Sequence, residues 1–102
     1  RRQRQMCIRD SYKAMSSIED ALSLRNQLQV QETRLREELE LARKSERLNE
    51  VRYRHGAIRI SFWLDAQEKR RQAEFRLDEN RFNQLQNLAK IYLEFGGAPA
   101  FP

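Results

Sequence analysis

Between Ser11 and His55 the chain has no Pro or Gly, and Ala, Leu, Glu, Gln and Arg dominate it. All are strong helix formers. Apolar positions partly follow an alternation of four and three: Ala14, Ile18, Ala21, then Leu28, Leu35, Leu39 and Ala42, and later Tyr53. Arg25, Glu32, Glu46 and Asn49 interrupt that line, and a second one through Leu24, Leu41, Leu48 and Val51 drifts across the helix. Two thin stripes suit a helix packed on both flanks better than a zipper with one strict seam. The pattern predicts a first helix over about residues 11–55, roughly 65 Å long. At four-residue spacing Glu40 meets Lys44 favourably and Glu46 meets Glu50 unfavourably, so these charges read as a solvated face.

The helix should stop at His55-Gly56, because glycine tolerates the left-handed conformation that closes a helix, and Arg52, Arg54 and His55 suit its negative end. Ala57-Ile58-Arg59-Ile60 is short and partly β-branched, which predicts an extended run and a turn over about residues 56–61. Ser61 is then an N-cap, with Asp65 near the first turn of the next helix and Leu64 leaving the capping box incomplete. A second helix follows over about residues 62–95, closed by Gly96-Gly97 with Pro99 beyond, and residues 99–102 form a tail. Its apolar residues recur in sevens: Ala66 and Ala73; Phe75, Phe82 and Ala89; Leu85 and Tyr92. Phe75, Phe82, Leu85 and Tyr92 are read as packing residues, and Lys69, Arg70 and Arg71 as a solvated face. A short turn between long helices makes them antiparallel neighbours. The expected fold is therefore all-α: a long, coiled-coil-like antiparallel helical hairpin.

Composition changes the picture in two ways. Charged residues make up 34% of the 102, with only three Gly and two Pro, which suits long solvated helices rather than a compact globule. A helical pair of this size buries little apolar surface, so its stability should depend on neighbouring helices. Residues 1–10 also read as a translated sequencing-library adapter and are set aside. They hold four Arg and one Asp, so the formal charge of +5 falls to +2 over residues 11–102, which gives little support for nucleic-acid binding. Cys7, the only cysteine, lies in that stretch, so no disulfide, metal or redox argument survives.

With one His, no Gly-rich phosphate loop and no ligand-spaced cluster, the sequence offers no catalytic, cofactor-binding or metal site, and an enzyme is not expected. The distinctive stretch is Arg52-Tyr53-Arg54-His55-Gly56-Ala57-Ile58-Arg59-Ile60-Ser61-Phe62-Trp63-Leu64-Asp65-Ala66-Gln67. It resembles the outer-membrane factor family, the TolC-like channels of tripartite drug efflux and type I secretion. Members show Arg-Tyr, Gly three residues after the Tyr, and Leu-Asp-Ala-Gln beginning eight after the Gly, as Tyr53, Gly56 and Leu64 do here. Ile91-Tyr92-Leu93-Glu94-Phe95-Gly96-Gly97 is similar to the family's closing Leu-Tyr-x-x-Leu-Gly-Gly, and Ser17-Ile18-Glu19-Asp20-Ala21-Leu22 to the acidic segment opening its second long helix.

The resemblance covers residues 12–98 and implies a fold and a role. The chain would be the C-terminal hairpin of a homotrimeric channel subunit, a fragment of the periplasmic α-barrel of a Gram-negative outer-membrane protein. The membrane contact would be made by β-strands outside this segment. The tip, comprising Gly56, Ala57, Ile58, Ile60, Phe62 and Trp63, would dock a periplasmic adaptor (membrane fusion) protein, and through it an inner-membrane transporter. Tyr53 and Asp65 fall on the family's entrance positions, where three Asp65 carboxylates would ring the axis and attract cations. Phe62 stands where some members place a further acid, and Ser61 replaces a common Leu.

Independent of the resemblance, apolar side chains at a turn are unusual unless something covers them. Tyr53 packed between helices, Asp65 answering the helix dipole, and Phe62 and Trp63 packed inside the hairpin end remain open readings. Two other classes stand beside the channel. A coiled-coil scaffold needs a self-sufficient apolar seam, and a nucleic-acid hairpin needs clustered cations and salt-dependent affinity.

Overall fold

The computed structural model describes residues 2–96, and the side chains of residues 10, 12–13 and 15–96. Of the adapter-like residues 1–10, only the Asp10 side chain is among these; the side chain of Ala14 in the first stripe, the Gly97 and Pro99 stop signals and the 99–102 tail lie outside the description. Two helices, α1 (Arg2–Arg54) and α2 (Ile60–Gly96), fold back on each other as an antiparallel hairpin. The backbone of α1 is helical from Arg2, well before the expected start near residue 11.

A Schellman motif closes α1. The Ala57 amide donates to the Arg52 carbonyl at 2.8 Å, the Gly56 amide donates to the Tyr53 carbonyl at 2.9 Å, and Gly56 has φ +73°. The connection is tighter than expected. Ile60 and Ser61 already lie within α2, and the Phe62 amide donates to the Arg59 carbonyl at 3.1 Å, so Arg59 rather than Ser61 stands at the cap position. The β-branched residues at 58 and 60 do not hold an extended run, because a five-residue link between antiparallel helices leaves no length for one. Asp65 is consequently the sixth residue of α2, beyond the turn where the dipole acts most strongly.

The chain divides into two compact units, each containing part of both helices. In the unit Val30–Phe82, Leu35, Leu39, Ala73 and Leu77 form a buried cluster, with Ala42 packed against it. Alanines at 66 and 73 are 4% and 2% exposed, and their small side chains let α1 come close. The inward positions of α2 here are Trp63, Ala66, Arg70, Ala73, Leu77 and Asn80, alternating three and four apart. Two of these six are polar. Arg70 donates Nε to Glu46 at 2.6 Å and Nη1 to Glu74 at 3.0 Å, and Asn80 donates Nδ2 to Gln31 Oε1 at 2.8 Å.

In the unit formed by the described parts of Arg1–Gln29 and Asn83–Pro102, Ala21 and Leu28 are the buried apolar residues. Asn87, only 6% exposed, donates Nδ2 to the Ala21 carbonyl at 2.8 Å, and the Ser17 hydroxyl donates to Glu94 at 2.7 Å. Polar seam positions favour one register over another, because a slipped pairing would strand them without partners.

Phe75, Phe82, Leu85 and Tyr92, expected to pack, are left mostly uncovered by the hairpin itself, at 66%, 59%, 65% and 52% exposed. The seam runs through the three-four series beginning at Trp63, and the phenylalanines sit about 150° round the helix from it. Arg70 is not part of a solvated face, since it lies in the seam between Glu46 and Glu74, whereas Lys69 and Arg71 are exposed. Glu40 pairs across 3.9 Å with Arg47, not with Lys44. Glu46 and Glu50 each hold their own arginine, Arg70 and Arg54, which offsets the repulsion expected between them.

Candidate functional site: the hairpin tip

The end at Gly56 gathers the residues singled out from the sequence. Tyr53, on the last turn of α1, lies against Trp63 in the first turn or so of α2, with ring centroids 5.5 Å apart and planes tilted by 31°. That geometry lies within the range of favourable aromatic pairs. The Trp63 Nε1 is buried and has no hydrogen-bond partner among the described residues. Trp63 therefore belongs to the hairpin end itself, and so does Tyr53, although Tyr53 keeps 36% of its surface exposed.

The other tip residues face outward. Ile60 is 45% and Phe62 58% exposed, Ile58 is half-buried, and Ala57 is exposed. No atom lies within 4 Å of where a Gly56 side chain would begin, so the glycine is required by its backbone conformation and not by crowding. The open space beside it leaves the turn's backbone approachable from outside.

Asp65 and Tyr53 have different surroundings. The Asp65 carboxylate is exposed and bonded to Lys69 of its own helix at 3.3 Å. His55 is exposed at the helix end, and Arg54 is held by Glu50 at 2.7 Å. From Val51 to Leu64 the chain carries three Arg and one His and no Asp or Glu. The first turn of α2 likewise has no acidic residue, so nothing in the tip answers the positive end of that helix.

Away from the tip, the charged seam in the unit Val30–Phe82 is the feature sequence reading missed. Arg70 is held above its ordinary pKa, chiefly by the hydrogen bond to Glu46, with burial opposing and the charges of Glu46 and Glu74 adding to the rise. Arg43 reaches Glu74 at 3.9 Å. Beside it an open groove of about 430 Å³ sets Arg36, Arg43 and Arg81 against Glu40, Glu74 and Asp78, with its charges balanced within its own walls. Counting fours and threes forward from Ala66 reaches Arg70, Ala73, Leu77 and Asn80, but the polarity of Arg70 and Asn80 argued for the surface.

Among the described residues no group of three or more His, Cys, Asp or Glu could hold a metal ion, and no helix is long and apolar enough to cross a membrane. No protein-family model, curated protein or solved structure matches the chain.

Proposed function

We propose that this chain is the C-terminal helical hairpin of a trimeric outer-membrane channel subunit, serving a tripartite efflux or type I secretion system and docking a periplasmic adaptor at its tip. The observation that carries the reading is the second face of α2. Its inner line packs on α1, while Phe75, Phe82, Leu85 and Tyr92 recur on the opposite side and are left uncovered. A helix with apolar lines on opposite sides has a neighbour on each, as a stave in a closed ring of helices does. The motif order of Tyr53, Gly56 and Leu64-Asp65-Ala66-Gln67 supports the same reading from the sequence.

In this reading the neighbouring hairpins of the barrel cover the phenylalanine line. The Gly56 turn is the periplasmic end, where Ala57, Ile58, Ile60 and Phe62 meet the adaptor. Tyr53 and Trp63 brace that end against each other. Asp65, exposed and held only by Lys69, is available to line the entrance as one of three carboxylates. The chain acts by assembling and positioning, and no chemical step is assigned to it.

A graft tests this. Residues 12–96 replace the last helical hairpin of a well-characterised channel of this family, and trimers and drug resistance are measured in the host. The expected outcome is stable trimers with restored resistance, both lost when Phe75 and Phe82 are changed to Glu. A graft that folds but stays monomeric, or trimers indifferent to Phe75→Glu with Phe82→Glu, would favour a coiled-coil scaffold instead.

A further inference from the structure

The tip is basic as well as apolar, and that sign identifies what covers it. Of its three arginines, Arg54 is neutralised by Glu50. Neither the Arg52 nor the Arg59 guanidinium has an ion pair among the described residues, and both are exposed. No carboxylate occurs between Val51 and Leu64 to answer them. Ile60 and Phe62 expose about half their surface beside these charges.

We infer that the tip is read by an acidic protein surface, in which carboxylates neutralise Arg52 and Arg59 around an apolar patch seated on Ile60 and Phe62. The inference rests on the channel reading for the kind of partner, a protein; the charge of that partner comes from the tip itself. Two free guanidiniums are too few for firm nucleic-acid binding, which grows with the number of phosphates neutralised. A lipid surface would favour an outward indole, and Trp63 is instead turned onto Tyr53 with its N–H buried. Carboxylates flanking apolar side chains satisfy both features of the tip, and complementary charge contributes more to selectivity and association rate than to raw affinity.

Trp63 is the only tryptophan, so its emission reports on the tip without labelling. The full chain is titrated with three Trp-free helical peptides sharing one leucine face and carrying Glu, Gln or Lys on its flanks. The Glu peptide should shift Trp63 emission saturably, with the Gln peptide about tenfold weaker and the Lys peptide inert. Raising NaCl from about 50 to about 500 mM should weaken the Glu peptide about tenfold. Arg52→Gln with Arg59→Gln should give a similar loss at unchanged helicity, and Arg52→Lys with Arg59→Lys should restore most of the binding. Equal affinity for Glu and Gln peptides, or no binding by any of them, overturns the inference. So does tighter binding to phosphatidylglycerol vesicles or to single-stranded DNA. None of these results bears on trimer formation by the graft, so the two readings fail separately.

Discussion

Gly56 and Asn87 show how single side chains hold this hairpin. At Gly56 the constraint is φ +73° with open space around it, so an L side chain costs backbone energy without meeting a neighbour. Gly56→Ala should destabilise the chain by about 1 kcal/mol in urea unfolding, and Gly56→Asn by less, since Asn tolerates the left-handed region. Equal stability of all three would show that the turn is not closed this way. Asn87 is buried and donates to a carbonyl in the middle of α1. Asn87→Ala should cost about 1 kcal/mol by the same measurement, the usual net value of such a bond.

The Glu46–Arg70 pair calls for a cycle rather than one variant. Arg70→Met alone strands a half-buried carboxylate, so it should destabilise more than Glu46→Leu and Arg70→Met together. A double variant less stable than Arg70→Met would mean that the Glu46 carboxylate is not stranded by the loss of Arg70.

At the scale of elements, α2 is the informative helix. Phe75 and Phe82 are mostly exposed within the hairpin, so Phe75→Ser with Phe82→Ser should change the unfolding free energy of the dilute chain by only about 0.5 kcal/mol. The same pair should abolish association with neighbouring helices. Both helices and the bend were legible in advance, because the glycine, the uninterrupted helix formers and the spacing of Leu28, Leu35 and Leu39 are all local signals. Which face of α2 turns inward was not. The lines through Ala66 and Ala73 and through Phe75 and Phe82 were both visible, but nothing local chose between them, because the inward line also carries Arg70, Asn80 and Asn87, whose partners stand on α1. The turn was misjudged for a related reason. β-Branched Ile58 and Ile60 suggested an extended run, yet closing two antiparallel helices needs a tight link, and that requirement overrides local preference. The tip residues were all legible as a group; that Trp63 would turn onto Tyr53 while Phe62 faced out was not, because adjacent aromatic positions on a helix point about 100° apart and the phase was unknown.

For the molecule as a whole, the inner seam contains four buried leucines, three buried alanines and several polar crossings among the described residues. That is a thin core for two helices of 53 and 37 residues, while large apolar side chains remain on the outside of α2. In the proposed reading, a chain built this way is completed by association. Sedimentation equilibrium of the purified chain, followed together with its helicity over a range of concentrations, tests that most directly. The expected result is reversible self-association through helical contacts, with Phe75→Glu and Phe82→Glu giving a monomer of reduced helicity. A chain that stays monomeric and fully helical at every concentration would contradict the account.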